Sequence, residues 1–482
     1  MLFETVQSVP TSSCFGIRAA IKKSAVQNDA DGCKIRQDIV IYGKRKERIF
    51  MQKAILVGVN LNNDPDFEYS MEELESLTKA CEMEVAASAV QNLSAVNNAF
   101  YIGTGKVEEV KNLVSLLEAD CVIFDNSLTP SQQRNLGKEL EVTVLDRTNL
   151  ILEIFERRAK TKEARLQVES ANLQYMLPRL VGMREALSRQ GGGAGAGGGS
   201  GAGGGFANKG AGEKKLELDR RKIEKRIAEL RRELEAIELD RQTQRKRRKD
   251  SDLPSVALVG YTNAGKSTLL NKMLDTYMGN EEKKVMEKDM LFATLDTTVR
   301  RISPGDNRDF LLSDTVGFID KLPHTLVKAF RSTLAEACSA DLLLQVVDFS
   351  DPHHREQMKV TQETLKELKA EQIPCLYVMN KADLVMEEDQ LPKVVGDKIY
   401  MSAKRGIGLE ELLFLIRNKL FAGYVNCTMR IPYTDGAAVS WLQENAVVKS
   451  VSYEADGVVL VLQCKVSDAG RFEKYMEASE GN

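Results

Sequence analysis

The sequence predicts an α/β protein built in four successive parts. These are an N-terminal α/β domain (51–156), an antiparallel helical hairpin (157–250), a second α/β domain with a mostly parallel sheet (251–421) and a small C-terminal α+β domain (422–482). Three observations carry the prediction. Short apolar runs alternate with amphipathic stretches in the first and third parts, as strands alternate with crossover helices. In the second part the period lengthens to heptads, interrupted by a run of glycine, alanine and serine. The last part has two strand-like runs on either side of one short helical stretch.

Composition sets the outer bounds. With 482 residues the chain has length for several cores. Hydrophobic and charged fractions of 43% and 28% are those of a globular protein. A net charge of -3 means that any nucleic-acid contact comes from local patches. No run approaches the ~18 apolar residues of a membrane span, and the start shows no apolar segment with a cleavage site, so a cytoplasmic chain without a membrane span is expected. The eight cysteines form no C-x-x-C pair, and Cys121, Cys375 and Cys464 sit in strand-like runs as expected of buried thiols. His324, His353 and His354 are the only histidines and read as residues near helix starts, which leaves little for histidine-based catalysis.

Taken in order, residues 1–50 lack periodicity, and Lys44-Arg45-Lys46-Glu47-Arg48 reads as a solvated charge run. They are either a disordered extension or sequence upstream of the natural start, and no function is assigned to them. From Lys53 the pattern is regular. Ala54-Ile55-Leu56-Val57-Gly58-Val59 predicts a strand, and Ser70-Met71-Glu72-Glu73 reads as a capping box opening a helix with Leu74, Leu77 and Cys81 on one face. Residues 84–90, 121–125 and 142–145 predict further strands. Val107, Val110, Leu113, Val114 and Leu117 mark one helix and residues 129–140 another, which together specify a parallel sheet. Gly103-Thr104-Gly105-Lys106 resembles half a phosphate loop. It lacks the long loop and the hydroxyl after the lysine, so it reads first as a plain turn, with nucleotide binding the alternative.

In the second part, Leu166, Leu173 and Leu180 recur every seven residues, and Pro178 predicts a kink. Ile223, Ile227, Leu230, Leu234 and Ile237 form a second heptad seam. Two such helices joined by a loop fold back on each other. The tip, residues 191–212, begins with fifteen residues of glycine, alanine and serine only. One arm carries Arg157, Arg158, Lys160, Lys162, Arg165 and Arg179, and the other carries Lys209, Lys214, Lys215, Arg220 and Arg221. A basic rod with a thin tip suits a narrow anionic space such as folded RNA. Arg245-Lys246-Arg247-Arg248-Lys249 repeats the pattern.

The third part contains the chemistry. Val256-Ala257-Leu258-Val259 reads as a buried strand, followed by Gly260-Tyr261-Thr262-Asn263-Ala264-Gly265-Lys266-Ser267 and a helical stretch. This is the phosphate loop in its proper setting, its N–H groups and helix start turned to phosphate oxygens. Lys266 is assigned to the β- and γ-phosphates and Ser267 to Mg²⁺. Phe292-Ala293-Thr294-Leu295-Asp296 follows a charged stretch. Thr294, chosen over Thr297 and Thr298, would give its hydroxyl to Mg²⁺ and its N–H to the γ-phosphate. After a strand come Asp314-Thr315-Val316-Gly317, with Asp314 holding Mg²⁺ through water and the Gly317 N–H sensing the γ-phosphate. Asn380-Lys381-Ala382-Asp383 ends another strand. Guanine presents N1–H and its 2-amino group side by side, which one carboxylate, Asp383, accepts together. Ser402-Ala403-Lys404 fits the loop that packs on the base. Five fragments in this order specify a P-loop GTPase domain using GTP and Mg²⁺, with Lys266, Thr294 and Gly317 as the catalytic set. Phe318 stands where Ras has a glutamine that orients water. Slow intrinsic hydrolysis is therefore expected, helped by a partner or by K⁺ bound at Asn263.

The whole set resembles HflX, a family of ribosome-associated GTPases, over roughly 52–482. The resemblance rests on Asp146-Arg147-Thr148-Asn149-Leu150-Ile151-Leu152-Glu153-Ile154-Phe155, on Ala164-Arg165-Leu166-Gln167-Val168-Glu169 and Leu177-Pro178-Arg179-Leu180, on Leu216-Glu217-Leu218-Asp219-Arg220-Arg221, and on Phe292-Ala293-Thr294-Leu295-Asp296. Ala211 departs from the family's usual proline, and the run 191–205 is longer and richer in glycine than is typical. The resemblance implies binding to the large ribosomal subunit and its RNA; the free protein is expected to be a monomer. The resemblance also implies stimulation of GTP hydrolysis by ribosomes, splitting of stalled or idle ribosomes and, in some members, ATP binding by the N-terminal domain. Two rival readings remain: a GTPase of large-subunit assembly, and a nucleotide-gated regulator of a protein partner.

Overall fold

The computed structural model describes residues 52–190, 206–250, 253–278, 291–292, 295, 297–305, 307–323, 326 and 331–476. The expectations for residues 1–50, the run 191–205, His324, and Ala293, Thr294 and Asp296 lie outside the described residues.

In the N-terminal domain, strands β1 (Lys53–Leu61), β2 (Glu84–Leu93), β3 (Cys121–Phe124) and β4 (Thr143–Asp146) form a parallel sheet ordered β2-β1-β3-β4. Helices α1 (Phe67–Ala80), α2 (Thr104–Leu117), α3 (Pro130–Leu140) and α4 (Arg147–Arg158) cover it. Because side chains alternate along a strand, β1 feeds two cores. Ala54 and Leu56 pack with Leu74, Leu77 and Ile151 on one face. Ile55, Val57 and Val59 pack with Val110 and Leu136 on the other. Thr129 and Gln132 form the capping box of α3, and Asp146 with Asn149 that of α4. The capping box expected at Ser70–Glu73 is not one: α1 already begins at Phe67, and Ser70 and Glu73 lie on its buried face. Two polar residues on the buried face there mark an interface rather than a helix start.

The hairpin consists of α5 (Lys162–Gln190) and α6 (Phe206–Asp250). Helix α5 is continuous through Pro178. Helix α6 takes in residues 206–212, which the sequence assigned to the tip. Extending an existing helix gains one hydrogen bond per residue fixed, which outweighs the roughly 1 kcal/mol cost of each of Gly210 and Gly212. The arms run antiparallel, since Glu169 pairs with Arg226 and Glu163 with Arg241.

The third domain is a seven-stranded sheet ordered β10-β11-β9-β8-β5-β7-β6. Its strands are β5 (Ser255–Gly260), β6 (Thr298–Ile302), β7 (Phe310–Asp314), β8 (Leu342–Asp348), β9 (Cys375–Asn380), β10 (Lys393–Val395) and β11 (Lys398–Tyr400). Five are parallel, and β6 and β10 close the two edges antiparallel. Strand β5 lies inside the sheet between β8 and β7 and leads into α7 (Lys266–Tyr277), so the phosphate loop sits at the carboxyl end of the sheet where ligands of such sheets bind. In the C-terminal domain, β12 (Tyr424–Ile431), β13 (Val447–Tyr453) and β14 (Val458–Lys465) form an antiparallel sheet ordered β12-β14-β13, backed by helix Gly436–Asn445. Strand β13 had no counterpart in the sequence reading. It is exposed along most of its length, so no apolar alternation marks it.

Candidate nucleotide-binding site

The phosphate loop leaves β5 and closes onto α7. Gly265, at the helix N-cap, has φ +93°, and a Cβ there would come within 2.3 Å of Asn380 Nδ2. Only glycine satisfies both the left-handed backbone and the close approach. The Asn380 amide donates to Ala264 O at 2.8 Å, and its Oδ1 accepts from Ala403 N at 2.9 Å. One side chain thus ties the phosphate loop, the Asn380–Asp383 turn and the Ser402–Lys404 loop together. Lys266 is buried, and its Nζ donates to Gly260 O at 3.0 Å and Tyr261 O at 2.7 Å. Burial pushes its pKa down to about 8, against the pull of the Asp314 carboxylate. Ser267 Oγ donates to Asp314 Oδ2 at 2.6 Å, and Thr315 Oγ1 donates to Leu258 O at 2.6 Å. A hydroxyl and a carboxylate oxygen side by side are the hard donors that Mg²⁺ takes, so these residues fit the ion. Thr262 Oγ1 is buried with no hydrogen-bond partner, which also suits a cradle for phosphate oxygens.

Gly317 lies against this cradle, since a Cβ on it would sit 3.0 Å from Lys266 Nζ. Phe318 N donates to Gly260 O at 3.1 Å, and Thr262 N donates to Phe318 O at 2.8 Å. The Phe318 ring is buried with Val259, Leu334 and Leu343, away from any water that a glutamine would orient. At the base end, Lys381 Nζ donates to Asp348 Oδ2 at 2.7 Å. Asp383 faces Arg405, whose Nε is 3.1 Å from Asp383 Oδ2 and whose guanidinium also reaches Glu388. Arg405 was missed in the sequence, where one more basic residue in a loop carries no signal.

The sequence also missed how much of the site belongs to the N-terminal domain. Tyr261, Phe292, Leu295, Val316, Ile319 and Leu326 share one core with Leu74, Ile151, Phe155 and Val168. Phe292 meets Phe155 edge to face at 4.7 Å. The readable sign was Ser70 and Glu73, polar residues set on the apolar stripe of α1. The basic residues assigned to the hairpin divide. Arg157, Arg158 and Arg165 donate to the main-chain carbonyls of Cys81, Ala80 and Ala159. Arg179 turns inward to Asp146 and Leu128 O, both at 3.2 Å. Arg157 and Arg158 thus tie the end of α4 to the end of α1 within the N-terminal domain, while Arg165 and Arg179 hold the base of the arm. Arg220 and Arg221 lie on the outer part of the hairpin, paired with Glu224 and Glu217. Gly103–Lys106, expected as a plain turn, is the N-cap and first turn of α2; Gly103 N donates to Gln91 Oε1 at 3.0 Å and Lys106 pairs with Glu109 at 2.7 Å.

Three family descriptions match in succession: "GTP-binding GTPase N-terminal" over 68–156, "GTP-binding GTPase Middle Region" over 158–248 and "50S ribosome-binding GTPase" over 255–381. GTPase HflX of Caldanaerobacter subterraneus subsp. tengcongensis is 43% identical over 409 residues, covering 84% of this chain and 90% of that protein. The chain belongs to the HflX family of GTPases. GTPase HflX of Escherichia coli (strain K12) is 38% identical over 414 residues, covering 85% of this chain and 92% of that protein. GTPase HflX of Akkermansia muciniphila is 42% identical over 441 residues, covering 90% and 98%. Among solved structures, a GTP-binding protein from Sulfolobus solfataricus in complex with GDP is 26% identical, with a TM-score of 0.39 over 77% of this chain and 98% of that one. As a member of the HflX family the chain binds guanine nucleotide and hydrolyses GTP.

Proposed function

We propose that this HflX GTPase is a ribosome-associated factor that binds the large ribosomal subunit through its hairpin and dissociates stalled or idle ribosomes, GTP hydrolysis then releasing it. The observation that carries this is an uneven distribution of charge. Residues 157–250 hold 24 lysines and arginines against 13 acids, a balance of +11 in a chain whose total is -3. A cationic element on an otherwise acidic molecule suits docking to RNA phosphate. The family description "50S ribosome-binding GTPase" supports the same partner. In this reading Lys266 neutralises the β- and γ-phosphates, and Ser267 and Thr294 ligate Mg²⁺, with Asp314 acting through water. The ion supplies charge neutralisation on the transferred phosphoryl group. Gly317 senses the γ-phosphate and Asp383 selects guanine. K⁺ at Asn263 belongs to the same reading, and equal hydrolysis rates in K⁺ and Na⁺ would remove it. A monomer working in the cytoplasm completes the proposal; nothing at Gly103–Lys106 beyond the start of a helix supports adding ATP to it.

Sedimentation of purified intact ribosomes with protein and a slowly hydrolysed GTP analogue tests the proposal. Subunit peaks that grow with the protein support it. Binding to large-subunit precursors alone, with intact ribosomes unchanged, would establish the assembly reading instead. Ribosome binding that survives charge reversal at Arg220 and Arg221 would favour a regulator of a protein partner.

A further inference from the structure

A buried polar cluster connects the N-terminal domain to the segment just past Gly317. Asp320 N donates to the Tyr261 hydroxyl oxygen at 2.7 Å, and that hydroxyl donates to Glu73. Arg147 donates to Glu73, to Asp125 Oδ1 at 2.8 Å and to Asp320 O at 3.3 Å. Lys321 Nζ donates to Asp125 Oδ2 at 2.7 Å, and Ser70 Oγ donates to the same oxygen at 2.8 Å. Glu73, Asp125, Arg147 and Tyr261 are almost wholly buried. Glu73 and Asp125 are ion-paired with Arg147 and Lys321, so removing one of these charges would strand another. Residues 320 and 321 are thus gripped by a main-chain donor, a main-chain acceptor and an ammonium. Each grip ends, directly or through Tyr261, on Glu73, Arg147 or Asp125.

Tyr261 is also the second residue of the phosphate loop. One carboxylate of the N-terminal domain therefore fixes the loop, while the partner guanidinium fixes the switch. We infer that Glu73, Arg147 and the Tyr261 hydroxyl are positioning residues for GTP hydrolysis: they set where the Gly317 N–H lies relative to Lys266. The leverage is short, since Gly317 is three residues from Asp320 and packs directly against Thr262 and Lys266. A relaxed grip lets Gly317 drift from the γ-phosphate without disturbing the base end of the pocket.

Tyr261→Phe is the cleanest probe, because it keeps the ring in its core and removes only the hydroxyl. Losing hydrogen bonds that involve a buried carboxylate predicts a fall in intrinsic kcat of about tenfold, with KM for GTP and affinity for GDP within twofold of the parent. Glu73→Gln, which keeps an acceptor for the hydroxyl but strands the buried Arg147 charge, should lose at least as much kcat as Tyr261→Phe. Asn307→Asp is the control. It removes two donations from Asn307 Nδ2 across another domain boundary, to Gln443 O at 2.7 Å and Ala446 O at 3.0 Å, and should keep the parental kcat. Unaltered melting temperatures certify the fold of each variant. A kcat for Tyr261→Phe within twofold of the parent overturns the inference. So does an equal loss in Asn307→Asp, or a rise in kcat, which would make the cluster a restraint on the switch.

Discussion

Lys266 is a cation kept out of water by the loop it serves. With its pKa at about 8 rather than the ordinary 10.5, it holds fewer protons in the folded chain than in the unfolded one between those values. Stability of the nucleotide-free protein contributed by this group therefore rises with pH across that window. Nucleotide binding has the opposite dependence, because phosphate wants the charged form. Affinity for GDP should be flat up to about pH 8 and about tenfold weaker one unit above the folded pKa. Titration with a fluorescent GDP analogue at pH 7 and pH 9 measures this, and equal affinities would mean that the ammonium stays charged. At this scale the sequence was informative where spacing dictates geometry. The phosphate loop, Asp314, Gly317 and the Asn380–Asp383 turn are brought around one cradle. It was silent on Arg405, and on the partners of Arg147, of which Glu73 lies far away in the chain.

Among elements, the hairpin shows how pattern and packing diverge. The heptad seam marks both helices, yet of its isoleucines and leucines on α6 only Leu230 is fully buried among the described residues. The opposing arm buries Leu166 and, because its first turns also lie against the N-terminal domain, Ala164, Val168 and Ala171. A period of seven predicts a partner helix, but it cannot say that one arm has two neighbours. Leu230→Ala should cost about 2–5 kcal/mol of hairpin stability, as expected for a fully buried leucine. Urea titration followed by far-ultraviolet dichroism reads the loss, and a midpoint shift equivalent to under about 1 kcal/mol would show the site to be loosely packed. Residues 206–212 make the same point from the other direction, since composition suggested a loop where an existing helix simply continues.

For the whole molecule, domain order was legible because each part has its own period, whereas the joints were not. Nothing in the run of residues says that Phe292, Leu295, Val316 and Ile319, all in or next to the segments expected to sense the γ-phosphate, share a core with Leu74, Ile151 and Phe155. A fragment limited to residues 253–421 would present those side chains to water, a contiguous apolar surface of the kind that binds dyes or aggregates. It should melt below the full chain and raise the fluorescence of a hydrophobic dye; a fragment that melts with the parent and leaves the dye dark would show that the joint contributes little.

That shared core also puts a schedule on biosynthesis. Phe155 leaves the translating ribosome well before Val316 is even made, an interval of roughly 10–30 s at common elongation speeds. Throughout that delay the nascent N-terminal domain carries a greasy face awaiting its cover. Chaperones that shield emerging chains should find their footing there, and slowing elongation between the two points should lower the yield of active enzyme.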